Sequence, residues 1–263
     1  MRKLTLLLLA LCFNTALVFG QEKKYMVFEF MKVETGNTIN YMDHKDFLER
    51  IYKKAVEKGD ISGWDFWSLK SGTDSGEFQY VTVTYYEDPV KMMNGIPLNK
   101  LVEYGKEVYD TLNEQQLTKM LKDAETSRDL AVRSYMEEIA RTDTEFEMKP
   151  GVLASFDLMK AVEGRFEEYE AAEKEVFQPF HQKRIDNDLM GGWRLLRTAL
   201  PFGSEAKSTH MTMNFYRDYL QFFNSMEYED LEASEEDKQA VERGLQSRDQ
   251  KWVYLATLEK VVR

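Results

Sequence analysis

A single cysteine, three histidines and no long apolar run beyond the first 20 residues set the first limits on this chain. Cys12 lies inside the opening segment, MRKLTLLLLALCFNTALVFG, which has a basic start, an apolar stretch and a small residue at its end. That order is a secretory signal peptide cut after Gly20. The apolar core from Leu4 to Phe13 is too short to span ~30 Å of hydrocarbon, and Asn14 and Thr15 interrupt it. A lipoprotein signal would use Cys12, but Leu11 stands where a small residue belongs. Cleavage leaves no thiol, so disulfides and a cysteine nucleophile are excluded and the mature chain depends on its own core. With no further long apolar segment, no membrane span is expected after cleavage.

Other absences narrow the chemistry. The motifs G-x-S-x-G, H-E-x-x-H, G-x-x-x-x-G-K-[ST] and C-x-x-C do not occur. His44, His181 and His210 form no pair at ligand spacing, so no zinc site and no metal are expected. No Asn-x-Ser/Thr acceptor occurs. Loss of Arg2 and Lys3 with the signal takes the formal charge from −11 to −13. So negative a surface, with no basic stripe, excludes nucleic acid as a partner. The densest acidic run, Glu227 to Asp237, reads as a solvated loop and helix start capped by Ser234.

What is present is a duplication. Met31-Lys32, Gly63-Trp64 and Tyr86 to Asp88 recur as Met159-Lys160, Gly192-Trp193 and Tyr216 to Asp218, at offsets from 128 to 130. Ser127-Arg128-Asp129 recurs as Ser247-Arg248-Asp249 at a shorter offset of 120, which places a deletion in the second helical region of the second copy. Within the first copy, alternation predicts strands at 25–34, 61–69, 77–86 and 131–140. A helix from Asp43 to Lys58 follows the first strand, and residues 71–76 form a hairpin-type loop. Pro89 opens a helical region that reaches Ala124 with a break at residues 95–97. The second copy repeats the order with strands at 152–161, 190–199, 207–216 and 251–261 and helical regions at 166–186 and 218–246. Each is a β-α-β-β-α-β, ferredoxin-like unit. The division is residues 1–20 signal peptide, 21–140 first half, 141–150 polar linker and 151–263 second half.

A four-stranded sheet with both helices on one face leaves its other face to be covered, and two such units can cover each other. In this order of elements, with its paired Gly-Trp and Ser-Arg-Asp motifs, the whole mature chain resembles the dimeric α/β-barrel superfamily as a tandem duplication. The fold class that the resemblance implies is α+β, with the two antiparallel sheets forming an intramolecular α/β barrel. The superfamily includes cofactor-independent monooxygenases, haem-degrading enzymes and decarboxylases. Its haem-degrading members use a histidine on the second helix, and neither second helical region here has one, so no cofactor is expected.

Strand parity groups Phe28, Phe30, Val81, Val83 and Tyr85 with Phe156, Leu158, Met211, Met213 and Phe215 on one face, expected under the helices. The other face carries Glu29, Tyr80, Thr82, Thr84 and Tyr86 and their counterparts Asp157, His210, Thr212, Asn214 and Tyr216, expected between the sheets. Seven of that set, Glu29, Tyr80, Tyr86, Asp157, His210, Asn214 and Tyr216, are with Trp193 the candidate ligand-binding residues. Glu29 and Asp157 suit a base or an anchor, or a hydrogen bond to Arg133, Tyr80 or Tyr86 that fixes packing. His210 suits acid–base work near neutral pH or a simple structural hydrogen bond. Trp64 and Trp193 suit core packing or a cavity wall. His44 and His181 are expected on helix surfaces. No catalytic residue is assigned, and three functions stay open. The first is an exported small-molecule binder, the second a cofactor-independent oxygenase-like enzyme, the third an envelope interaction module. The two halves pair within one chain, and the chain could pair further as a homodimer.

Overall fold

The computed structural model describes residues 23–34, 36–70, 78–228 and 233–263. The signal segment, the hairpin-type loop and the middle of the acidic run lie outside the described residues. The first half contains β1 (Tyr25–Lys32), α1 (Thr38–Glu57), β2 (Gly63–Leu69) and β3 (Tyr80–Tyr86), then α2 (Pro89–Asn94), α3 (Leu98–Val108), α4 (Glu114–Thr126) and β4 (Asp129–Arg141). The second contains β5 (Leu153–Ala161), α5 (Phe166–Ala172), a π-helical turn (Glu173–Phe177), α6 (Gln178–Asp186), β6 (Gly192–Leu200), β7 (His210–Tyr216), α7 (Tyr219–Glu227), α8 (Glu235–Leu245) and β8 (Arg248–Val262).

All pairings are antiparallel, and the strands close into one barrel in the order β1-β3-β2-β8-β5-β7-β6-β4. Each half supplies four neighbouring strands, and the halves join along β2–β8 and β4–β6. The α+β class and the intramolecular barrel of two ferredoxin-like units are therefore as the sequence implies. Among the described residues no helix is long and apolar enough to cross a membrane.

Local chemistry explains most boundaries. Asp88 caps α2 by accepting from the Lys91 amide at 2.8 Å, with Pro89 in the first turn. Asn113 and Gln116 form a reciprocal capping box on α4, and Ser234 and Asp237 do the same on α8. The repeated Ser-Arg-Asp has one role in both halves. Ser127 Oγ donates to Ala124 O at 2.8 Å and Ser247 Oγ to Gly244 O at 2.6 Å, ending the helix as the last strand begins. Helix α1 starts at Thr38, five residues ahead of Asp43, because Tyr41 already belongs to its buried stripe.

The two strand faces group as parity predicts, but their destinations are exchanged. Met26, Phe28, Phe30, Val81 and Val83 meet Phe156, Met211, Met213 and Phe215 inside the barrel. The equivalent rings of Phe28 and Phe156 touch edge to face, with centroids 6.1 Å apart. Glu29, Tyr86, Asp157 and their neighbours point outward, under the helices. The physical reason is closure: a closed barrel packs its middle with side chains from both sheets, so it takes the uniformly bulky apolar face. The helix layer covers the sheet less completely and supplies polar partners of its own. Polar groups do enter the barrel at one end, where Asp65 accepts from Arg263 at 2.7 Å and from Tyr85 Oη at 2.6 Å.

Candidate functional site

Exchange of the faces moves the candidate site from the barrel interior to the layer between sheet and helices. The duplication makes two such layers, and they differ. In the first half a cavity of about 450 Å³ opens between β1, β3, β4 and the helices. Glu29 stands at mid-strand in its floor and accepts from Arg133 Nε at 2.8 Å and from Thr82 Oγ1 at 3.3 Å. Tyr86, Tyr52 and Arg128 also line it. Burial pushes the Tyr86 phenol up to about 12, with the Glu29 charge acting in the same direction.

Lys45 enters this cavity from α1 and is only 3 % exposed. Its Nζ lies 4.5 Å from the centre of the Tyr41 ring and 5.6 Å from that of Phe66. Burial brings its amine down to about 7; the Arg128 charge lowers it further and the Glu29 charge opposes. An amine near 7 is partly neutral at physiological pH and can accept a proton from a bound molecule. Sequence reasoning passed over Lys45, although the signal was there. Tyr41, Lys45, Leu48, Tyr52 and Ala55 follow the spacing of a buried helical stripe, and a lysine within such a stripe has no cheap route to water.

The second half fills the same space. Asp157, the counterpart of Glu29, accepts from Asn214 Nδ2 at 3.2 Å, and burial pushes its carboxyl up to about 6. Glu173, on the π-helical turn, is 2 % exposed and is pushed up to about 7 by burial. Arg248 of the repeated tripeptide has its Nε 3.4 Å from Glu173, while Arg128, its counterpart, is left at the open cavity. Trp193 is buried and stacks on His181, with centroids 5.3 Å apart. The expectation that His44 and His181 lie on helix surfaces is corrected: both are partly buried with Nδ1 shielded from solvent. His44 turns toward Lys119 and Asp123 of α4, while His181 lies over Trp193 of β6, where burial brings it down to about 3. Tyr216 packs edge to face on Phe222 at 5.2 Å.

His210 is engaged on both nitrogens. Nε2 lies 3.1 Å from Glu170 Oε1, and Nδ1 lies 2.9 Å from Thr209 Oγ1. Glu170 is itself gripped by Arg197 at 2.7 Å through both carboxylate oxygens. Hydrogen bonds from His210 and Arg197 outweigh burial and hold Glu170 down at about 2. Tyr80, in the matching place of the first half, stacks on Phe66 at 5.3 Å. Of the eight candidates, Glu29 and Tyr86 meet in the open cavity. Tyr80 packs beside it, and Asp157, Trp193, His210, Asn214 and Tyr216 belong to the second half's filled layer. Among the described residues no cluster of three or more His, Cys, Asp or Glu side chains could hold a metal ion.

No protein-family model and no curated protein matches the chain by sequence. Solved structures do match in shape. A candidate monooxygenase from Fusobacterium nucleatum superposes with a TM-score of 0.58 at 11% identity, covering 93% of this chain and 95% of that one. An anthrone oxidase-like protein gives 0.53 at 11% identity over 92% and 93%. A candidate chlorite dismutase gives 0.53 at 10% identity over 91% and 96%. At such identities the likeness is one of fold, and fold does not fix chemistry. The chain is similar along nearly its whole length to dimeric α+β-barrel proteins, and it carries both barrel halves on one polypeptide.

Proposed function

We propose that this is an exported protein that binds a small, acidic organic molecule in the helix–sheet cavity of its first half, with Lys45 as the proton acceptor. The observation that carries the reading is the convergence of Lys45 with the Glu29–Arg133 pair in one cavity of about 450 Å³. Pockets of this size with a few placed polar groups suit metabolite-sized ligands. Arg133 and Arg128 balance Glu29 and Glu125 in the lining, so a protonated Lys45 leaves one positive charge in excess, which favours a ligand bearing negative charge. The test is native mass spectrometry of the protein purified from its own envelope fraction, with Lys45→Met and Arg133→Gln alongside. A retained small molecule that both variants lose supports the reading. A bare mass for the native protein, with no acidic metabolite raising its thermal midpoint, would refute it. In the same preparation an N-terminus at Gln21 is expected, and an uncleaved Met1 would remove export from the proposal.

A second reading follows from the same amine. A base poised near neutral pH could take a proton from an activated carbon, and the resulting carbanion could react with dioxygen without a cofactor. The structural likeness to a candidate monooxygenase and an anthrone oxidase-like protein supplies analogy for this reading. Anthrone serves as the probe: its methylene carbon would lose a proton, add dioxygen and release water to give the quinone. Dioxygen uptake that falls to background in Lys45→Met supports an enzyme, whereas uptake equal in both proteins sinks this second reading.

A further inference from the structure

The mouth of the barrel holds a second cavity, of about 550 Å³, unrelated to the helix–sheet site. It owes its existence to a departure from the internal symmetry. Ser134 pairs with Phe28 on β1, while Tyr254 occupies the same register against the equivalent Phe156 on β5. Gln79 and Thr209 likewise match, because their amides donate to Met31 O and Met159 O, and so Phe78 corresponds to Ser208. On one side of the mouth the rings of Phe30, Phe78 and Tyr254 pack together, with centroids between 4.9 and 6.2 Å apart. Across the axis the two matching ring positions are serines, and the cavity is the space that the absent rings leave.

We propose that this cavity binds an aromatic carboxylate. The ring cluster offers edges and faces to a flat apolar body, which favours offset or edge-to-face stacking. Met136, Leu158 and Met211 complete the apolar lining. Thr198 Oγ1 lies in the wall, shielded from solvent and without a hydrogen-bond partner. The segment 201–208 roofs the space and brings Lys207 to it. A shallower chamber continues outward past Lys207 to Lys160 and Lys251. Lys160 is drawn to Ser204 O at 3.0 Å and Lys251 pairs with Asp249, which leaves Lys207, two residues beyond Glu205 in the roof, as the lysine at this mouth whose amine has no partner among the described residues. On a chain this acidic, three lysines around one apolar mouth favour an anionic head group. The size suits two or three fused rings with the carboxylate directed to Lys207.

The test is a fluorescence and calorimetric titration of the full chain with 2-naphthoate and with its neutral isostere 2-naphthamide. Saturable one-to-one binding of naphthoate is expected. Ser134→Tyr with Ser208→Phe, which restores the rings of the other side, should weaken it at least tenfold. Lys207→Ala should weaken naphthoate severalfold and leave naphthamide unchanged. Hydrogen exchange on the unaltered protein gives an answer independent of how the double variant folds: naphthoate should slow exchange across 201–208. Absence of saturable binding overturns the proposal, as does binding that the ring-restoring pair leaves intact or that leaves 201–208 unprotected. Equal weakening of acid and amide by Lys207→Ala overturns the assignment of an anion. The outcome does not depend on Lys45, so it is separable from the helix–sheet site.

Discussion

Replacing Lys45 by methionine keeps the length of the side chain and removes the amine from a site that is 3 % exposed. Bringing that amine from 10.5 down to about 7 places a penalty of about 5 kcal/mol on its protonated form in the folded state, at about 1.4 kcal/mol per pH unit. The sign is that of a group whose folded pKa is depressed by burial. Below about pH 7 both folded and unfolded chains hold the proton, and the native protein bears the whole penalty. Between about 7 and 10.5 the unfolded chain holds a proton that the folded chain has released, so stability rises with pH. Methionine abolishes this dependence and nothing else in that window. Urea unfolding of both proteins at about pH 6.5, 8 and 9.5 should show Lys45→Met the more stable at the lowest pH. The gap should then shrink toward high pH by up to about 1.4 kcal/mol per unit. A gap that stays constant would refute a buried, neutralised amine, and with it the proton-accepting role.

Three further outcomes test the frame around the sites. Asp65 is fully buried between the exposed Arg263 and the buried Tyr85, so Asp65→Ala leaves the Tyr85 hydroxyl without its acceptor and should cost about 1–3 kcal/mol in urea unfolding. Glu170, held at about 2, contributes stability that is fully present above about 4.5 and is lost as pH falls through about 2; in Glu170→Gln the acid unfolding profile should flatten across that interval, and an unchanged profile would mean that the Arg197 and His210 contacts contribute nothing. A Cβ on Gly191 would stand 2.4 Å from the Phe146 ring, so Gly191→Ala should lower the thermal midpoint by an amount worth about 1–3 kcal/mol, while Gly164→Ala, in open space but at φ +78°, should cost only its backbone strain.

Much of the fold is legible because alternation and duplication are statements about the backbone. The Gly-Trp pairs mark β2 and β6, the Ser-Arg-Asp pairs end helices α4 and α8, and both survive wide divergence elsewhere. Parity also divides the strand residues correctly, since neighbours two apart must share a face. Which face turns inward is not local information. A single ferredoxin-like unit buries its apolar face against either helices or a second sheet, and only closure of the barrel decides, by packing its middle from both sheets. That choice moved Glu29 and Tyr86 to the helix side. Lys45 was readable from its place in the α1 stripe, yet a sequence search for chemistry that looks to strands passes it over. The π-helical turn that swings Glu173 inward is invisible, because it depends on how Phe177 meets Gly244 of α8, where a Cβ would approach that ring to 2.8 Å.

The two seams of the barrel, β2 with β8 and β4 with β6, have a consequence for biosynthesis. As the chain emerges from the ribosome, the first half arrives with both edge strands unpaired and with Phe28, Phe30 and Val83 facing nothing. It presents open β-edges and a greasy surface until β6 and then β8 appear. Such an intermediate is prone to pair with other chains. A chain of this design therefore stays open to misassembly until its last strand is delivered, because its seam-closing contacts are all long in sequence.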